Sequence, residues 1–233
     1  MVFSEVTEKS PMRILEKSIH GGMGPGNLGV ILARAGVGKT ACLVHIATDR
    51  LFLGKQVAHV SIGESADRVK AWYTEIIRNM MNYYGHTEAQ QAKDKVSENR
   101  VILTYSGKSF DVSRLSESLA NLKQQLNFNP SVIVVDDLDF ETTDRSVFEQ
   151  FKDLAGKSGL EIWFTARCFQ EPRRANEQGI PYPCDRIDDL FDVIVLLDPQ
   201  PPIIKLQVLK GDGENIDSGI SIHLDPKTML LRK

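Results

Sequence analysis

Lys39 and Thr40 close the run Ala33-Arg34-Ala35-Gly36-Val37-Gly38-Lys39-Thr40. Two glycines that permit a tight turn, then a cation and a hydroxyl at successive positions, match the needs of a triphosphate tail. Backbone N–H groups converge on the phosphates, an ammonium reaches the β- and γ-phosphates, and the hydroxyl supplies a metal ligand. The expected contacts run through Ala35, Gly36, Val37, Gly38, Lys39, Thr40 and Ala41. Ala33 stands where the usual GxxxxGK[ST] pattern has its first glycine, so its methyl is expected to narrow the backbone angles there and weaken affinity. Asp136 ends the apolar run Val132-Ile-Val-Val. A carboxylate at the end of such a strand can hold a magnesium-bound water, which makes Thr40 and Asp136 the expected metal-directed pair. The expected ligands are therefore ATP and Mg2+. Asp137, next in line, reads either as a turn or capping residue or as a catalytic one.

These residues need a scaffold, and the chain alternates short β-branched runs with helix-period stretches, as a parallel sheet requires. Strands are expected at 28–32, 56–62, 100–105, 130–136 and 160–165. Helices are expected at 40–53, 66–84, 113–126 and 148–157. Val69, Trp72, Tyr73, Ile76, Ile77 and Met80 share one helical face and read as core. Residues 87–99 are polar, and form either a solvated helix or an excursion. The 166–191 connection is long and contains Pro and Arg, which suggests function or disorder. Short runs at 193–197, 203–209, 219–224 and 228–231, separated by Pro and Gly, predict antiparallel strands at one sheet edge.

The chain has 233 residues, enough for a single α/β domain over 1–233. A net charge of -3 with 25% charged residues gives no general attraction to polyanions. Cys42, Cys168 and Cys184 form no CxxC pair, so neither a zinc site nor a disulfide framework is indicated, and a cytoplasmic setting is expected. No run reaches the roughly 18 apolar residues that a membrane span requires, and membrane contact is not expected. His20, His45, His59, His86 and His223 are scattered and read as structural.

From Ile19 onward the chain resembles the RecA-like ATPases, and within them the KaiC and RadA branch. The likeness is carried by Gly21-Gly-Met-Gly-Pro-Gly26, the phosphate loop, Val60-Ser-Ile-Gly-Glu-Ser65, Val132 to Asp136, Trp163-Phe-Thr-Ala166 and Val208-Leu-Lys-Gly211, in family order over residues 14 to 225. It implies an α/β fold of the P-loop NTPase, RecA-like type, with a mainly parallel sheet flanked by helices and antiparallel edge strands near the C-terminus. In that family a glutamate after the second strand polarises the attacking water. Gly63 occupies its first acidic position here, which leaves Glu64 for the role and puts efficient hydrolysis in doubt.

The resemblance also implies a ring, of which a hexamer is the expected form, in which a neighbour's basic residue reaches the γ-phosphate. Lys210 is the matching lysine, but the arginine that follows it in the KaiC branch is absent from Lys210-Gly-Asp212. The leading expectation is a weak Mg-dependent ATPase, a nucleotide-gated oligomeric switch that also contacts a protein partner, with Glu64, Lys39 and Lys210 in catalysis. The 166–191 segment corresponds to the part of RecA-like recombinases that contacts DNA. It carries Arg167, Arg173 and Arg174 with Phe169, so a DNA-binding accessory ATPase is the alternative. A nucleotide-binding scaffold without turnover is the third reading. The domain lacks the basic stripe of a dedicated DNA binder, which places nucleic acid second.

Overall fold

The computed structural model describes residues 2–19, 21–87, 89–107, 110–168, 175–211 and 221–233. Among these residues nine strands form one sheet, β1 (Leu28–Ala33), β2 (Val57–Ile62), β3 (Arg100–Tyr105), β4 (Val132–Asp136), β5 (Glu161–Arg167), β6 (Val193–Gln200), β7 (Ile203–Lys210), β8 (His223–Asp225) and β9 (Leu230–Arg232), in the spatial order β3-β2-β4-β5-β1-β6-β7-β8-β9. The strands from β3 to β6 in that order pair in parallel, and β7, β8 and β9 continue antiparallel. This is the mainly parallel α/β architecture with antiparallel additions that the alternating pattern predicts. β1, β2 and β4 are buried along their whole length, which is why they read as continuous apolar runs.

Among the described residues, seven α-helices accompany the sheet: α1 (Val2–Lys9), α2 (Met12–Ser18), α3 (Lys39–Phe52), α4 (Ala66–Tyr83), α5 (Ala89–Glu98), α6 (Val112–Leu126) and α7 (Arg145–Ser158). One core holds α2, α3, α4 and the sheet face bearing Val57, Val134 and Trp163, and the other holds α7 with Phe148, Phe151, Phe164 and Phe191. The face of α4 read as core is core, with Val69, Tyr73, Ile76, Ile77 and Met80 buried, although Trp72 is only partly so. Within the polar 87–99 stretch α5 buries Ala92 and Val96.

Several boundaries differ from expectation. Helix α7 starts at Arg145 behind Asp144, ahead of its first buried side chain, so apolar spacing alone finds it late. The last two strands are displaced to 223–225 and 230–232, and residues 219–220 lie outside the described set. Helices α1 and α2 carry no sequence signal long enough to announce them. They are held by tertiary contacts: Phe3 packs on Phe52 with ring centroids 5.1 Å apart, and Met12 and Leu15 join the core.

Candidate functional site

The loop of residues 34–38 leaves the end of β1 and enters α3 at Lys39. Gly36 and Gly38 adopt φ of 76° and 109°, conformations that β-carbon-bearing residues resist, so the turn depends on both glycines. At Gly38 an added β-carbon would also lie 2.5 Å from Leu224 Cδ2 of β8, which leaves no room beneath the loop. The helix that follows presents its free N–H groups to the loop. Ala33 is the last residue of β1, paired with Arg167 and Leu197 in regular parallel register. Its methyl is buried and its φ is not positive, so this backbone has no need of glycine there and the expected narrowing has no structural counterpart.

Strand β5 lies between β1 and β4, and this order assembles the polar centre. Thr165 of β5 donates from Oγ1 to Asp136 Oδ1 at 2.6 Å, while the Asp137 N–H donates to the same Oγ1 at 3.2 Å. Asp136 is 4% exposed. Burial raises its pKa from the ordinary carboxylate value and the neighbouring Asp137 charge adds to the rise. Hydrogen bonds from Thr165 and Thr40 and the positive charge of Lys39 work against it without cancelling it. Lys39, Thr40, Asp136 and Thr165 thus meet at the carboxyl ends of adjacent parallel strands, the usual ligand position in such sheets.

A cavity of about 250 Å3 opens in front of this centre, and Lys39, Asp137, Thr165 and Arg167 line it together with Asp139 and Glu141 of the segment after β4. Asp137 has a φ of 61°, so it does turn the chain, and that turn leaves its exposed carboxylate on the cavity wall. Glu64 follows Gly63, whose φ is 95°, and its carboxylate pairs with Arg68 Nε at 3.3 Å on the first turn of α4. Glu64 is not among the described residues that line the cavity. Lys210 ends β7 and donates from Nζ to the Asp188 carbonyl oxygen at 2.7 Å, which ties it to a short 3-10 turn of its own chain. Arg167 is the last residue of β5, whereas Phe169, Arg173 and Arg174 lie outside the described residues.

Consecutive residues and a strand end single out Lys39, Thr40 and Asp136, whereas Thr165, and Arg167 as a residue of this centre and not of a DNA-contacting connection, reach it only through the pairing of β5 with its two neighbours. No group of three or more His, Cys, Asp or Glu that could hold a metal occurs among the described residues. No described helix is long and apolar enough to cross a membrane.

Among curated proteins, the chain is similar to a DnaB-like replicative helicase of Enterobacteria phage T4, at 28% identity over 183 residues. That match covers 67% of this chain and only 38% of the relative's length. No protein-family model matches. The likeness supports the broad RecA-like superfamily and a nucleotide-binding theme, and it does not select a KaiC or RadA branch within it.

Proposed function

We propose that the chain binds ATP with Mg2+ at the loop 34–38 and the start of α3, and that it is a weak ATPase working as a nucleotide-gated oligomeric switch. The observation that carries this reading is the meeting of Lys39, Thr40 and Thr165 around the buried Asp136 carboxylate. Two hydroxyls and a carboxylate are hard oxygen donors of the kind magnesium takes. Asp136 is desolvated and no cation among the described residues is hydrogen-bonded to it, so a divalent ion has a carboxylate to neutralise. Magnesium, when bound, would offset charge on the phosphate oxygens. Lys39 would bind the terminal phosphates, the amides of Ala35, Gly36, Val37, Gly38 and Ala41 would orient the tail, and Thr165 would hold Asp136 in place.

For the water-directed carboxylate, the family resemblance points to Glu64 and the geometry favours Asp137. Asp137 shares the cavity with Lys39, whereas Glu64 is occupied with Arg68. Phosphate release by Asp137→Asn and Glu64→Gln at saturating ATP separates them. The Asp137 change should slow turnover on the order of 100-fold or more with nucleotide affinity kept, and the Glu64 change should act weakly. The reverse pattern would return the role to Glu64. No turnover in the unaltered protein would favour a scaffold without hydrolysis.

A ring, with a hexamer as the expected form, and Lys210 acting across a subunit boundary rest on the RecA-like resemblance. Lys210 would first have to release the Asp188 carbonyl. The replicative helicase in the comparison favours one second reading, a DNA-binding accessory ATPase. Binding of single-stranded DNA that weakens with salt and is lost on joint replacement of Arg167, Arg173 and Arg174 would establish it.

A further inference from the structure

On the opposite flank of the molecule from the antiparallel strands, β3 forms the sheet edge, and a cavity of about 520 Å3 opens between it, α4 and α5. Its polar lining is dominated by cations: Lys70 from α4, Lys93 from α5 and Arg100 from the start of β3, against the single carboxylate, among the described residues, of Asp94. Ser97 adds a hydroxyl donor, while Ile77, Val96 and Ile102 supply an apolar floor; the Thr74 hydroxyl donates to the Lys70 carbonyl oxygen at 3.0 Å.

Arg100 is the unusual member. Its guanidinium lies over the Tyr73 ring, 4.0 Å from the centroid, and its Nε is buried with no hydrogen-bond partner. No described carboxylate lies within ion-pair distance of it. Burial accordingly lowers its pKa, against a small opposing effect of Tyr73. The Tyr73 hydroxyl is turned inward to His59 Nδ1 at 3.1 Å, so the ring offers Arg100 only its face. Interior cations without a counter-charge are costly, and proteins ordinarily pair them. Asp94 accepts from Gln90 at 2.9 Å, and Lys70 leans to Asp67 at 3.2 Å on the exposed helix surface. Lys93 has no ion-pair or hydrogen-bond partner among the described residues.

We propose that this cavity is a second ligand site, which takes the phosphate group of a small phosphate monoester. Arg100 and Lys93 bind the phosphate oxygens, Ser97 donates to them, and the ester's apolar part rests on Ile77, Val96 and Ile102. Guanidinium and hydroxyl donors suit a phosphate dianion, and the absent counter-charge at Arg100 is the place the dianion fills. The cavity is large enough for a ligand of that size. The site is separate from the loop 34–38 and does not depend on nucleotide binding there.

The test is a titration of the full chain with phenyl phosphate, followed by amide resonances in an NMR spectrum. Expected are saturable shifts at Thr74, Lys93, Ser97 and Arg100, reduced at least tenfold in affinity by Arg100→Gln. Shifts confined to residues 35–41, or an affinity at residues 74–100 unchanged by Arg100→Gln, would overturn the proposal. If Arg100→Gln disturbs the fold, Lys93→Gln on the cavity rim decides: several-fold weaker binding supports the site, and unchanged binding overturns it.

Discussion

Asp136 has two opposed demands on it. Burial raises its pKa and so favours the protonated form relative to an ordinary carboxylate, yet the proposed metal role requires it ionised. Its raised folded pKa means that the native state binds this proton more tightly than the unfolded chain does. Stability from this group therefore falls as pH rises from the ordinary carboxylate range through the folded value. Asp136→Asn keeps an acceptor for Thr165 and removes the buried charge. We expect the ligand-free variant to melt at the same temperature or a few degrees higher, roughly the effect of 1 kcal/mol in a chain of this size, while magnesium-dependent ATP binding is lost. Calorimetry with and without Mg-ATP reads both. A variant that melts many degrees lower would mean that the carboxylate is a structural anchor. Gly38→Ala meets both a positive φ and the Leu224 methyl. It should cost on the order of 1–3 kcal/mol by denaturant titration.

Helices α2 and α3 are joined to β5 by a buried charge network. Arg50 donates to Glu161 at 2.9 Å and to Glu16 at 2.6 Å, and Arg13 bridges Glu16 at 2.7 Å and also pairs with Asp49. Burial pushes the Glu161 pKa up, but the charge and hydrogen bonds of Arg50, with the Trp163 indole, bring it below the ordinary value. Its contribution is thus present above the ordinary glutamate range and lost as pH falls through the lowered folded value. Glu161→Ala leaves Arg50 interior and short of its main partner, and should cost about 3–5 kcal/mol in denaturant unfolding. A loss under 1 kcal/mol would mean that Glu16 and Asp49 suffice. None of this network was legible beforehand. α1 and α2 are too short to announce themselves, and Arg50 reads as one more residue of a helical face. The loop 34–38 and Asp136 were legible because consecutive residues and a strand end carry them. Thr165 was not, because its role depends on β5 lying between β1 and β4, a pairing between distant parts of the chain.

At the scale of the whole molecule, two interior histidines add to the loss of stability expected in acid. His45 on α3 accepts the Leu231 N–H of β9 on Nδ1 at 3.3 Å, and burial lowers its pKa to about 4. Burial, helped by the Arg100 charge, lowers that of His59 to about 3. The unfolded chain takes up these protons first, so their contribution is full above the ordinary value of about 6.5 and declines as pH falls toward the folded values. Thermal melting should drop between pH 7 and 5, and His45→Gln, which can still accept from Leu231, should flatten that slope; an unchanged slope would remove His45 from the account. The parallel sheet with its antiparallel edge was readable from alternating runs, whereas the proposed ring rests on resemblance alone, because contacts between copies are not carried by the periodicity of one chain. The central claim is a triphosphate held by the start of α3 beside Asp136. Calorimetric titration of ATP with magnesium into the unaltered chain and into Lys39→Ala tests it most directly. We predict measurable binding that weakens about 10- to 100-fold in the variant, the effect of losing a charge-assisted contact. Equal affinity in the two proteins would contradict the account.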